Sequence, residues 1–210
     1  MGFLNKLLSR SSPGERLWAW VAENEALLVQ HCERGEPLPE AEQEELNEHL
    51  QAVAPELRLH VVPQTMQHSW QLVLSVGGAP HRLAMVKELA AIAPELESFE
   101  VVAFAPPIAL EYMDNEALGV RLYATNMTFR IEVDELPRVL IFVPQVLETQ
   151  GLRELVYHFL YQYMGEYAYG MLHDYVDVWP MENSNPEGQQ PLSELRKGLV
   201  PILVAMDGSS

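Results

Sequence analysis

A chain of 210 residues with 48% apolar and 20% charged side chains carries enough apolar surface to build an ordinary core. Its single cysteine, Cys32, excludes an internal disulfide and points to a reducing, cytoplasmic setting. Its net charge of −17 repels phosphate backbones, so nucleic-acid binding is not expected, and no run approaches the roughly 18 apolar residues of a membrane span.

Residues 1–14 read as a leader. Phe3, Leu4, Leu7 and Leu8 share a helical face beside Lys6 and Arg10, and Ser11-Ser12-Pro13-Gly14 separates them from the first long helix. The apolar run is too short for a signal-peptide core, and Lys6 stands where a myristoylation motif needs Ser or Thr. A short docked or frayed segment is the expected form, with a membrane-surface helix as the alternative.

Residues 15–210 read as one α+β domain, with a mixed or antiparallel sheet and helices mainly on one face. Leu17, Trp20, Val21, Asn24, Leu27 and Leu28 recur at three- and four-residue spacing, which predicts a helix from Glu15 to about Gln30. Gly35 and Pro37 end it, and a second helix starts near Pro39 with Leu46, Leu50 and Val53 inward. Leu57–Val62 and Trp70–Val76 read as strands, the first closed by Pro63 and the two joined by a loop over 64–69. Pro80 opens a third helix through Ala93, and Phe99–Ala105 is a strand stopped by Pro106-Pro107.

The middle of the chain is ambiguous. Ile108–Tyr112 reads as a short strand before a turn at Asp114-Asn115, and Val120–Thr125 is compatible with helix or strand. Met127–Val133 and Arg138–Val143 then read as strands around Asp134-Glu135-Leu136-Pro137. A helix follows over Gly151–Met164, ended by Gly165, then a strand over Met171–Trp179, a loop over Asn183–Gln190 and a short final helix from Pro191. The order strand-strand-helix-strand thus occurs over 57–105 and again over 127–179. That order suggests two β-β-α-β units in pseudo-duplication, with halves at 15–107 and 108–200.

Catalytic chemistry finds little support in the motifs. Glu154 and His158 lie four apart on one predicted helix face, as two ligands of a zinc site would, but a third ligand is not evident, and a helix-face hydrogen bond explains them as well. His173, Tyr175 and Asp177 share a face of the predicted last strand, where an acid-base role competes with ordinary solvent exposure. Gly77-Gly78 precedes a helix, but no phosphate-binding glycine pattern surrounds it, and a plain turn accounts for it. His31 and Cys32 are neighbours on a predicted helix and diverge by about 100°. No nucleophile elbow, H-E-x-x-H, C-x-x-C or cofactor motif is present.

Two surfaces suggest interaction instead. From Gly35 to Leu57 there are seven Glu and no Lys or Arg; Glu40, Glu44, Glu45 and Glu48 form a candidate docking face for a basic protein. The bland account is a solvated helix. From Tyr157 to Tyr175 there are six Tyr and one Phe, and Tyr161, Tyr163, Tyr167 and Tyr169 cannot all face inward, so an aromatic patch for a partner or a second copy is expected.

Trp18-Ala19-Trp20 with Asn24-Glu25, Leu74-Ser75-Val76-Gly77-Gly78, Ala93-Pro94-Glu95-Leu96, Ala103-Phe104-Ala105-Pro106, and Leu160 with Gly165-Glu166-Tyr167 resemble, in order, a family of uncharacterised bacterial proteins. The resemblance spans most of 15–195 and implies a bacterial cytoplasmic setting without implying an activity. The expected function is therefore a non-catalytic, acidic interaction or regulatory protein without a cofactor. The alternative is a metal-dependent or acid-base hydrolase using Glu154 and His158 with Glu166 or His173.

Overall fold

The computed structural model describes residues 11–64, 69–133, 136–144, 150–181 and 186–208. The leader reading falls mostly on 1–10, outside the described residues, as do most of the 64–69 loop and Asp134-Glu135. The chain is α+β and divides into two compact units, residues 1–105 and 106–210.

The first unit opens with α1 (Pro13–Glu23), α2 (Glu25–Arg34) and α3 (Glu40–Val53). Ser12 caps α1 by accepting the Glu15 N–H at 3.2 Å, while the Glu15 carboxylate accepts the Ser12 N–H at 2.6 Å. This reciprocal pair satisfies two donors that a helix start leaves open, and Pro13 at the first position fits because its missing N–H is not needed.

The predicted single helix is two, broken at Asn24. The Asn24 side-chain amide donates to the Trp20 carbonyl at 2.9 Å, competing with the backbone for that acceptor. The Glu25 carboxylate then accepts the Ser98 N–H at 2.6 Å, tying the start of α2 to the segment before the third strand. Gly35, at φ 64°, ends α2 in the left-handed conformation that favours glycine.

Strands β1 (Arg58–Gln64) and β2 (Ser69–Ser75) pair antiparallel. A 3-10 turn at Pro80–Arg82 and α4 (Leu83–Ala91) lead to β3 (Phe99–Ala103), which pairs parallel with β2. The order β1-β2-β3 leaves β1 at an edge. Pro63 does not close β1, as its sequence suggested; the strand runs through it. An edge strand tolerates a residue without an N–H. Leu72, Val73 and Leu74 are all buried because the central strand is covered on both faces. Trp18 and Gly14 seat α1 against α4: the Trp18 indole donates to the Leu89 carbonyl at 2.8 Å, and a Cβ at Gly14 would meet the Leu89 side chain at 2.9 Å.

The second unit begins with a hairpin of β4 (Tyr112–Asn115) and β5 (Val120–Tyr123). The expected strand at Ile108–Tyr112 is thus displaced toward the C-terminus, and the turn lies over 116–119, closed by Gly119 at φ 61°. The ambiguous stretch Val120–Thr125 is strand to Tyr123, then 3-10.

A four-stranded sheet follows, ordered β8-β7-β6-β9, from β6 (Thr128–Val133), β7 (Pro137–Val143), β8 (Val176–Pro180) and the short β9 (Gln190–Pro191). β6 and β7 are antiparallel, and β7 and β8 parallel, connected through α5 (Gln150–Met164) and α6 (Glu166–Leu172). In the first unit β3 pairs parallel with β2, the second strand of a hairpin, and in the second β8 pairs parallel with β7.

The core joins Phe129, Val139 and Ile141 of the sheet to Val156, Phe159 and Leu160 of α5. The last helix, α7 (Leu195–Asp207), is far longer than its sequence suggested and inserts Leu195 and Leu199 into the same core, with Pro201 inside it. No helix among the described residues is long and apolar enough to cross a membrane.

Candidate functional site

Helix α3 lies largely in solvent. Leu50 is its buried residue, while Glu40, Glu44, Glu45 and Glu48 are exposed. Glu36 pairs with Arg34 and Glu56 with Arg82, but among the described residues the carboxylates of Glu40, Glu42, Glu44, Glu45 and Glu48 have no ion-pair partner. Glu40, Glu44 and Glu48 follow one another at four-residue spacing, where like charges each cost a helix about 0.2–0.5 kcal/mol. The helix tolerates them because Glu is a good helix former and because Glu40 and Glu42 sit in the first turn, at the positive end of the dipole.

Beside this helix the first unit holds a cleft of about 460 Å³. Leu28 and Leu50, both buried, contribute to its lining from α2 and α3, as do Leu46 and Trp70, both partly exposed. Gln43, Leu46, Asn47 and Leu50, the row of α3 that faces the cleft, recur at three- and four-residue spacing. Arg58, Leu59, His60 and Val61 of β1 complete it. The Arg58 guanidinium is held by the Pro55 and Leu57 carbonyls at 2.8 and 2.9 Å. Cys32 also lines the cleft, and burial pushes its thiol above the ordinary cysteine value, which disfavours the reactive thiolate. The Nδ1 of His31 is buried without a hydrogen-bond partner among the described residues.

The tyrosines divide between core and surface. Tyr163 is core: its ring stacks on Phe159 at 5.7 Å, its hydroxyl donates to the Leu192 carbonyl at 3.3 Å, and the Arg196 guanidinium lies 4.6 Å over the ring. Tyr161, Tyr167 and Tyr169 are half-buried. Tyr169 meets Tyr161 edge-on at 5.5 Å and His173 edge-on at 5.8 Å, and the Tyr167 hydroxyl donates to Asp207 at 2.7 Å. Burial raises the Tyr169 hydroxyl above its ordinary range, with Tyr157 adding to the effect; Tyr157 is itself raised by burial and then by Asp177.

The catalytic candidates lie in different settings. Glu154 and His158 are exposed on α5, and each is hydrogen-bonded within its own helix: Glu154 accepts from Gln150 at 2.9 Å, and His158 bonds Gln162 at 2.9 Å. Glu166 is fully buried at the start of α6. His173 is not on a strand as expected but in a 3-10 turn after α6, exposed beside Asp174 at 3.0 Å. The strand begins only at Val176, so the proposed common face of His173, Tyr175 and Asp177 does not form. Asp177 instead accepts from Arg138 at 2.6 Å, across from β7. No cluster of three or more His, Cys, Asp or Glu side chains that could hold a metal ion occurs among the described residues.

Sequence reasoning missed the cleft because its walls are ordinary apolar residues brought together from α2, α3, β1 and β2. It also missed an exposed face of the β4–β5 hairpin, where Arg121 lies 4.7 Å over the Tyr112 ring and 6.0 Å from that of Tyr123 and pairs with Asp114. The period-two alternation of Tyr112 with Asp114 and of Arg121 with Tyr123 was the available signal. Compared with models of protein families, with curated proteins and with solved structures, the chain matches none of them.

Proposed function

We propose that this chain is a non-catalytic interaction protein that presents the acidic face of α3 to a basic protein partner. The observation that carries the reading is the row of exposed carboxylates at Glu40, Glu44, Glu45 and Glu48, which have no ion-pair partner among the described residues. A helix that keeps mutually repelling charges in solvent has them available to an incoming cation. Such a face accelerates encounter with a basic surface and rejects acidic ones. The resemblance to uncharacterised bacterial proteins adds a bacterial cytoplasm as the setting.

The test is affinity capture from native lysate, at low and at high salt, with the wild-type chain and with the triple variant Glu40→Lys, Glu44→Lys, Glu48→Lys. The expected result is a basic protein retained by the wild type, lost from the variant and released by salt. Capture of the same partner by both chains, or no basic partner at all, overturns the reading.

A further inference from the structure

The cleft beside α3 has a feature that an acidic surface alone does not require. Arg58, Leu59, His60 and Val61 line it consecutively. Successive strand residues point to opposite faces of a sheet, so a cleft that touches all four wraps the strand's outer edge. That edge is free of a strand partner among the described residues, because β1 is hydrogen-bonded to β2 on its other side and ends the sheet. An open edge offers backbone N–H and C=O groups to any extended chain laid beside it. Pro63 offers no N–H and limits the useful edge to the four or five residues before it.

The cleft is also apolar at its base and acidic at one border. Leu28 and Leu50 are buried, with Leu46 and Trp70 partly exposed around them. Glu40 and Glu44 lie one turn before Gln43 and Asn47, the polar members of the cleft-facing row, and so flank it; Glu36 lines the cleft itself. The other charged or titratable groups around it are Arg34, paired with Glu36 at 4.0 Å, Arg58, turned to backbone carbonyls, the Cys32 thiol and the imidazoles of His31 and His60. The volume of about 460 Å³ falls in the range of pockets that hold small-molecule ligands, roughly 300–1,000 Å³, and is ample for one large side chain.

We infer that this cleft binds an extended, basic segment of a partner protein, which adds as a strand to the free edge of β1 and places one aliphatic or aromatic side chain against Leu28, Leu46, Leu50 and Trp70. The inference rests on the reading of α3 as the acidic docking helix and specifies its partner: Lys or Arg residues facing Glu36, Glu40 and Glu44, on either side of a single apolar anchor. Backbone hydrogen bonds supply affinity, the anchor supplies register and the carboxylates supply selection against acidic segments.

The test is selection from a random nonapeptide phage library on the full-length wild-type chain, followed by binding measurements on the enriched peptide. The expected consensus has two or more Lys or Arg residues flanking one Leu, Ile, Phe or Trp. N-methylation of alternate peptide backbone nitrogens, which removes strand donors without touching the protein, is expected to weaken binding more than tenfold. Leu46→Trp, which fills the cleft, is expected to do the same, with its folding verified by circular dichroism. The bound peptide is expected to slow alkylation of Cys32. Glu40→Lys with Glu44→Lys is expected to weaken binding about tenfold at low salt and to flatten its salt dependence.

A basic consensus indifferent to N-methylation and to Leu46→Trp overturns the strand-addition inference and leaves the acidic docking face standing. A consensus without basic residues that is still sensitive to both overturns the acidic reading and the basic partner, and leaves a groove for neutral segments. No consensus at all overturns the inference.

Discussion

Single residues decide where the helices of the first unit begin and end. Ser12 and Glu15 close the start of α1 by exchanging hydrogen bonds, and the Glu15 carboxyl is held below its ordinary value of 4.5, first by the Ser12 N–H and then by the Ser12 hydroxyl. A depressed folded-state value means that the charged form stabilises the fold. Its contribution is fully present above the ordinary value and is lost as the pH falls through the lower, folded one. Glu15→Gln keeps an acceptor for the Ser12 N–H but does not titrate. Thermal unfolding is therefore expected to show wild type more stable than Glu15→Gln at neutral pH, with the gap closing in the acid range below 4.5. A gap that stays constant across that range would mean that the carboxylate charge plays no part in the cap. Asn24 is the second such residue; its short polar side chain takes a carbonyl from the backbone and divides what apolar spacing alone reads as one helix.

At the scale of the element, α3 carries the clearest conflict between stability and use. Glu44 has Glu40 one turn before it and Glu48 one turn after, all exposed. Glu44→Lys replaces two repulsive pairs by two attractive ones, a gain of about 0.8–2 kcal/mol on pair energies measured in isolated helices. The melting temperature of the variant is expected to rise by a few degrees in low salt, while its binding to a basic partner falls. A variant that is no more stable would show that the carboxylates are already relieved by solvent and counter-ions. The tyrosine-rich segment shows the opposite economy. Tyr163 faces the core and finds the Leu192 carbonyl for its hydroxyl, while Tyr161 and Tyr169 remain half-buried with their rings edge to face.

The whole molecule carries a charge of −17, and several ion pairs among its described residues are exposed. Arg121 with Asp114, Arg138 with Asp177 and Lys197 with Glu194 are all substantially exposed, and pairs of that kind contribute little. Self-repulsion therefore outweighs attraction between surface charges. Raising ionic strength shortens the screening length to about 10 Å at 0.1 M, so the melting temperature is expected to climb as salt is added from the millimolar range upward. A fall instead would mean that attractive pairs, rather than the excess of carboxylates, dominate the surface.

The amino-acid sequence by itself determined the α+β class, most helices and strands, and the exposure of Glu40, Glu44, Glu45 and Glu48, because apolar period and glycine or proline punctuation act over a few residues. It did not determine the turn at His173, the length of α7 or the division of the tyrosines between core and surface, since each depends on what a distant segment packs against. The cleft was decided by tertiary structure alone. Leu28, Leu50, Val61 and Trp70 carry no signal that separates a groove wall from a core, and only the pairing of β1 to one neighbour leaves its other edge open beside them. Local spacing fixes which face of an element is apolar; the placement of other elements fixes whether that face is filled.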